Sequence, residues 1–136
     1  MRRGLGFGGL GMSACLSLAS ALGCTRQVAA VECTVVYGGE ARRLQFPATA
    51  EPYRVTPQDV AGRFRFKAIY IREPYSATSI SLYAYQQADA GDVLLQEAKY
   101  LPPFSPGKGA RYGFTGRQLV YSTEQRELEY WCELSP

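Results

Sequence analysis

The chain contains no histidine in its 136 residues. That absence removes the usual general base, the commonest transition-metal ligand and the simplest charge switch near neutral pH. Ser-His-Asp catalysis is therefore impossible. The four cysteines include no Cys-x-x-Cys pair, so zinc and haem sites lack their ordinary donors too, and no metal or cofactor is expected. Excess charge is missing as well. Of 15 basic residues two, Arg2 and Arg3, open the chain, and 12 acidic residues balance the rest to within one charge. A balanced surface offers nucleic acid no electrostatic footprint, and no such partner is expected.

What is present is an ordinary globular composition, 46% apolar and 20% charged, which argues against disorder. Ten tyrosines, with the phenylalanines and β-branched residues, favour strands. The length allows a single domain and a core thin enough to profit from a covalent clamp.

Met1-Arg2-Arg3 followed by an uncharged run to Gly23 has the form of a secretory signal. With six glycines in residues 4–23, the run is too weakly apolar for a membrane helix. Gly4 to Gly9 echoes a dinucleotide-binding loop, but no strand precedes it. Ala19-Ser20-Ala21 satisfies the small-x-small rule for cleavage, which would leave Leu22 first. Ala21-Leu22-Gly23-Cys24 resembles the lipobox of bacterial lipoproteins, with Ala21 standing where that family usually has Leu. The resemblance implies a lipid on Cys24 as residue one and, with Thr25 next, sorting to the outer membrane. It implies place, not activity. Cleavage after Ala21 leaves Cys24, Cys33 and Cys132, one of them unpaired in an oxidising compartment; lipidation of Cys24 leaves an even pair. The expected organisation is a leader at 1–23, a tether at 24–30 and one β domain at 31–136. The expected location is the outer membrane, facing periplasm or cell surface, or else a soluble periplasmic or secreted state.

From Val31 the chain alternates apolar and polar residues between turn signals, the mark of antiparallel strands. Strands are predicted at 31–37, closed by Gly38-Gly39, then near 43–46 and 53–55, each ended by a proline. Further strands are predicted at 63–71, 79–85, 93–101, 116–122 and 127–134, with a turn at Asp89-Ala90-Gly91-Asp92. A partly helical course over 86–98 is the less consistent alternative, because that turn interrupts it. Seven to eight short strands without a convincing helix predict a small antiparallel β-sandwich or barrel.

Strand parity gives the cysteines a geometry. Val31, Cys33, Val35 and Tyr37 share one face of the first strand, and Leu128, Tyr130, Cys132 and Leu134 one face of the last. Both cysteines thus sit core-side, where an end-to-end disulfide is expected. Closing a loop of roughly 100 residues is worth about 4–5 kcal/mol in the chain-entropy model.

No catalytic residue stands out. Asp89 and Asp92 fall in a turn, and Glu127, Glu129 and Glu133 alternate along one strand as a solvated face that also blunts an edge. Cross-strand pairing of those glutamates with Arg63, Arg65 and Lys67 is one expectation. Two features suit binding. The Pro-rich loop from Leu101 to Tyr112 displays Phe104, Lys108, Arg111 and Tyr112, the residue types of interface anchors; alternatively Leu101 and Phe104 fold back to cap the core. Tyr83 and Tyr85 share the face opposite Ile80 and Leu82. They form either an aromatic platform for glycan or peptide or, the more ordinary outcome, an inner face of a two-sided sheet. The sequence therefore predicts a lipid-anchored, non-catalytic binding or structural module of the envelope, contacting protein or glycan. A small hydrolase using Asp/Glu pairs, or an inhibitor or assembly partner of another envelope protein, is the alternative.

Overall fold

The computed structural model describes residues 29–72, 74, 77–104 and 110–135. The leader, the lipidation expected at Cys24, most of the 24–30 tether and Lys108 fall outside the described residues.

The described residues form eight strands: β1 (Ala30–Tyr37), β2 (Glu40–Pro47), β3 (Gln58–Val60), β4 (Phe64–Ile71), β5 (Ser79–Gln86), β6 (Val93–Tyr100), β7 (Gln118–Tyr121) and β8 (Glu127–Ser135). They make two antiparallel sheets, ordered β2-β1-β8-β7 and β3-β4-β5-β6. The sheets face one another as an open sandwich, not a closed barrel. Period-two alternation does the sorting. Val31, Cys33 and Val35 of β1, Phe64, Phe66, Ala68 and Tyr70 of β4, Ile80, Leu82 and Ala84 of β5, and Leu128, Tyr130 and Cys132 of β8 are all buried. Each large side chain so buried contributes roughly 1.5–3 kcal/mol. Phe66 joins the layers, its ring 4.9 Å from Tyr130 and 6.2 Å from Phe46. Leu134 departs from the expected inner face and is exposed at the strand end.

Turn chemistry follows the glycines at the first hairpin. Gly38 and Gly39 adopt φ values of 60° and 82°, so Tyr37 and Glu40 face each other across a two-residue connection. At Val60–Arg63 the same left-handed backbone is carried by Ala61 and Gly62, at φ 53° and 66°.

The Cys33–Cys132 disulfide is formed, with an S–S distance of 2.06 Å and Cα atoms 4.0 Å apart. The bridge joins directly opposed residues of β1 and β8, which are neighbours in one sheet. Its presence fits folding in an oxidising, non-cytoplasmic compartment. No helix among the described residues is long and apolar enough to cross a membrane.

Two expectations need correction. Residues 52–54 form a 3₁₀ turn rather than a strand: Pro52 fixes the entry to a single turn that no neighbouring strand pairs. The strand of that region is β3, just after Pro57. Glu127, Glu129 and Glu133 do not meet Arg63, Arg65 and Lys67, because β8 and β4 belong to different sheets. Glu129 instead receives Arg117, with Nε 2.6 Å from Oε1, and Arg65 lies 3.5 Å from Asp92.

Candidate binding face

The residues singled out for partner binding separate into distinct places. Phe104 turns inward, its ring 6.3 Å from Tyr70 and 5.7 Å from Phe114. Tyr100 adds an edge-on contact to Phe114 at 5.3 Å. These four rings close one end of the core, so Phe104 is a cap. Leu101, expected to help, remains 63% exposed immediately after the end of β6. Arg111 and Tyr112 lie on the outer face of the first sheet, where Tyr112 meets Trp131 edge-on at 5.1 Å and Arg111 covers the Tyr112 ring at 5.3 Å. Gly113 explains how this segment reaches β8. It pairs in parallel with Cys132 at φ 57°, and a Cβ there would stand 2.0 Å from the Cys132 carbonyl oxygen. Ser105-Pro106-Gly107-Lys108 has a Ser-x-x-Lys spacing and falls outside the described residues.

Tyr83 and Tyr85 are on the opposite side of the molecule, half-buried on the outer face of the second sheet. The expectation that they pack as an inner face is overturned. Their strand partners already fill the inner face with Ile80, Leu82 and Ala84, so alternation sends both tyrosines outward. Their planes are within 15° of parallel at a centroid separation of 6.4 Å. Lys67, directly opposite Tyr83 on β4, places Nζ 4.9 Å from the Tyr83 centroid and 5.9 Å from that of Tyr85. Desolvation pushes both hydroxyls above the usual tyrosine range, with Glu97 adding to the effect at Tyr83 and Asp92 and Glu97 at Tyr85. Both therefore stay protonated as donors at neutral pH.

Beside this pair runs a groove of about 400 Å³. Tyr53 of the 3₁₀ turn stands over one side, itself fully exposed. Ile69, Ser81 and Tyr83 line it together with Lys67 and Lys99. In register, Lys67–Tyr83–Glu97 make one cross-strand row and Ile69–Ser81–Lys99 the next. Sequence reasoning placed Lys67 outward but missed Tyr53, Ile69, Ser81 and Lys99 as neighbours. The available signal was the change along outer β4 from Arg65 and Lys67 to Ile69 and Ile71, from polar to apolar.

A second cleft of about 360 Å³ lies at the other end of β5, lined by Arg63, Gln86, Asp89, Glu124 and Arg126 among others. Gln86 is committed there, its Oε1 accepting from the Thr123 N–H at 2.9 Å and the Thr123 hydroxyl at 3.0 Å. Arg126 is held by Glu124 at 2.9 Å and by the Tyr37 hydroxyl at 3.3 Å. These contacts read as a laced loop junction. Among the described residues no group of three or more Cys, Asp or Glu side chains is placed to hold a metal ion.

No model of a protein family, no curated protein and no solved structure matches the chain.

Proposed function

We propose that this protein is a non-catalytic binding module of the bacterial cell envelope, exported and held at the outer membrane by a lipid on Cys24, and that it docks its ligand on the outer face of β4–β6. The observation that carries the reading is the near-parallel Tyr83–Tyr85 pair. Two aromatic rings are kept half-exposed on a sheet whose other face is fully used by the core. Large, rigid, amphipathic rings provide contact area at low entropic cost. Five of the eleven carboxylates among the described residues are ion-paired with arginines, as in Glu32–Arg43, Glu51–Arg54 and Glu129–Arg117, which leaves those five ill-suited to acid–base chemistry.

The test is retention on immobilised envelope glycans and proteins, comparing wild type with the Tyr83→Ser/Tyr85→Ser double variant. Loss of retention by about tenfold or more is expected, in line with the ~1–3 kcal/mol that truncating interface aromatics costs. Undiminished retention by the double variant overturns the reading. For the anchor, the intact mass of membrane-extracted protein should include acyl chains on Cys24, and Cys24→Ser should move the protein to the soluble fraction.

A further inference from the structure

The groove beside Tyr83 holds two lysines, on a sheet face that also carries Glu97 opposite Tyr83. Five arginines of the described surface have acidic partners: Arg43, Arg54, Arg65, Arg117 and Arg126. Lys67 and Lys99, like Arg42, Arg63, Arg72 and Arg111, have no ion-pair partner among the described residues. The two lysines flank the middle strand of the groove, Lys67 opposite Tyr83 and Lys99 opposite Ser81. Two strand spacings and a two-residue offset separate their backbones by roughly 12 Å. Between and beside them lie Ile69, the Ser81 hydroxyl and the Tyr83 ring, with Tyr53 at one side of the groove. Cations at two separated points, with rings and a hydroxyl between, suit an extended ligand bearing repeated negative charges.

Resting on the docking face argued above, we propose that this groove binds an acidic oligosaccharide chain whose uronic-acid carboxylates meet Lys67 and Lys99 while its sugar rings lie on Tyr53 and Tyr83. Sugar rings present C–H faces that pack on aromatic rings, and hydroxyls that bond to Ser81 and tyrosine oxygens. Their carboxylates make charge-assisted hydrogen bonds to ammonium groups. An acidic peptide fits less well. The groove lies across the face of the sheet over β5, which is paired with β4 on one side and β6 on the other, whereas an extended peptide docks along a sheet edge. A flat anionic membrane surface is disfavoured by the acids around the groove, Glu51 beside the 3₁₀ turn, Asp92 and Glu97, because a plane meets them all and a single chain does not.

The experiment is titration calorimetry of the full chain with four probes: an oligogalacturonate, its carboxyl-reduced neutral counterpart, a poly-glutamate peptide and vesicles containing anionic phospholipid. Oligogalacturonate is expected to bind, and to weaken as salt rises. Lys67→Gln and Lys99→Gln should each lower its affinity about tenfold, the scale of one hydrogen bond to a charged group. Circular dichroism should show both variants folded. No binding of oligogalacturonate, equal binding of the neutral oligosaccharide, or unchanged affinity in the double lysine variant overturns the assignment. Preferential binding of the peptide or the vesicles overturns it as well. Neutral-glycan or peptide binding that is lost in Tyr83→Ser/Tyr85→Ser leaves the docking face standing and removes only the acidic sugar. Failure of every probe together with undiminished envelope retention in that tyrosine variant removes both.

Discussion

Ala61 shows how much a single backbone position decides. It holds φ 53° before Gly62 in the turn between β3 and β4, a conformation that costs an L-residue roughly 1–2 kcal/mol. Asn tolerates that region, and Asn-Gly is the favoured pair for such turns. Ala61→Asn is therefore expected to stabilise the protein by about 0.5–1 kcal/mol, read as a higher urea midpoint; a lower midpoint contradicts the turn assignment. Two residues earlier, Asp59 accepts hydrogen bonds from the Gln87 side chain and from the Gly62 N–H at 3.1 Å. Those bonds hold its carboxyl below the ordinary value of 3.8, with Arg65 and Arg42 adding to the effect. A carboxylate whose folded value is depressed stabilises above its unfolded value, and that contribution disappears as pH falls through the folded value. Wild type should thus exceed Asp59→Asn in stability at neutral pH, and the difference should shrink below pH 3.8. A difference independent of pH would refute the role given to the charge. Neither position was legible in the sequence: Ala-Gly is not a turn signal, and Gln87 meets Asp59 only because β3 pairs with β4 and β4 with β5.

At the level of elements, alternation carried most of the information. Two apolar faces read from sequence parity placed Cys33 and Cys132 inward, and both are fully buried. What parity does not contain is which strands are neighbours. The bridge therefore proves to lie across one sheet, between β1 and β8. Its effect on the unfolded chain depends on loop length, with a sequence separation of 99, and is unaltered by that placement. The Cys33→Ala/Cys132→Ala variant is expected to lose about 2–5 kcal/mol, measured by denaturant unfolding against the oxidised protein. A loss below 1 kcal/mol would mean that β1–β8 pairing persists in the unfolded ensemble. The same ignorance of neighbours produced the mistaken Glu–Arg pairing and hid the groove, whose lining comes from β4, β5, β6 and the 3₁₀ turn. Tyr83 and Tyr85 were visible as a same-face pair; their outward aim required knowing that β5 has one core side only.

Across the whole molecule, the sandwich separates its aromatic surfaces. Tyr112 and Trp131 decorate the outside of one sheet and Tyr83 and Tyr85 the outside of the other, so one ligand on the second sheet leaves the first free. On one flank the layers are tied at their edges, where Arg42 Nη1 donates to the Asp59 carbonyl at 3.1 Å and Gln58 Nε2 to that of Gln45 at 3.4 Å. The position of β1 has a mechanical consequence. Ala30 lies opposite Ser135, and β1 is flanked by β2 on one side and β8 on the other. A pull on the chain N-terminal to Ala30 acts along β1 and loads both of its ladders in shear together. Beyond Cys33 the tension passes through a covalent bond into β8. Such a strand resists peeling from its end, so a load from that direction is shared across the sheet before any strand is extracted.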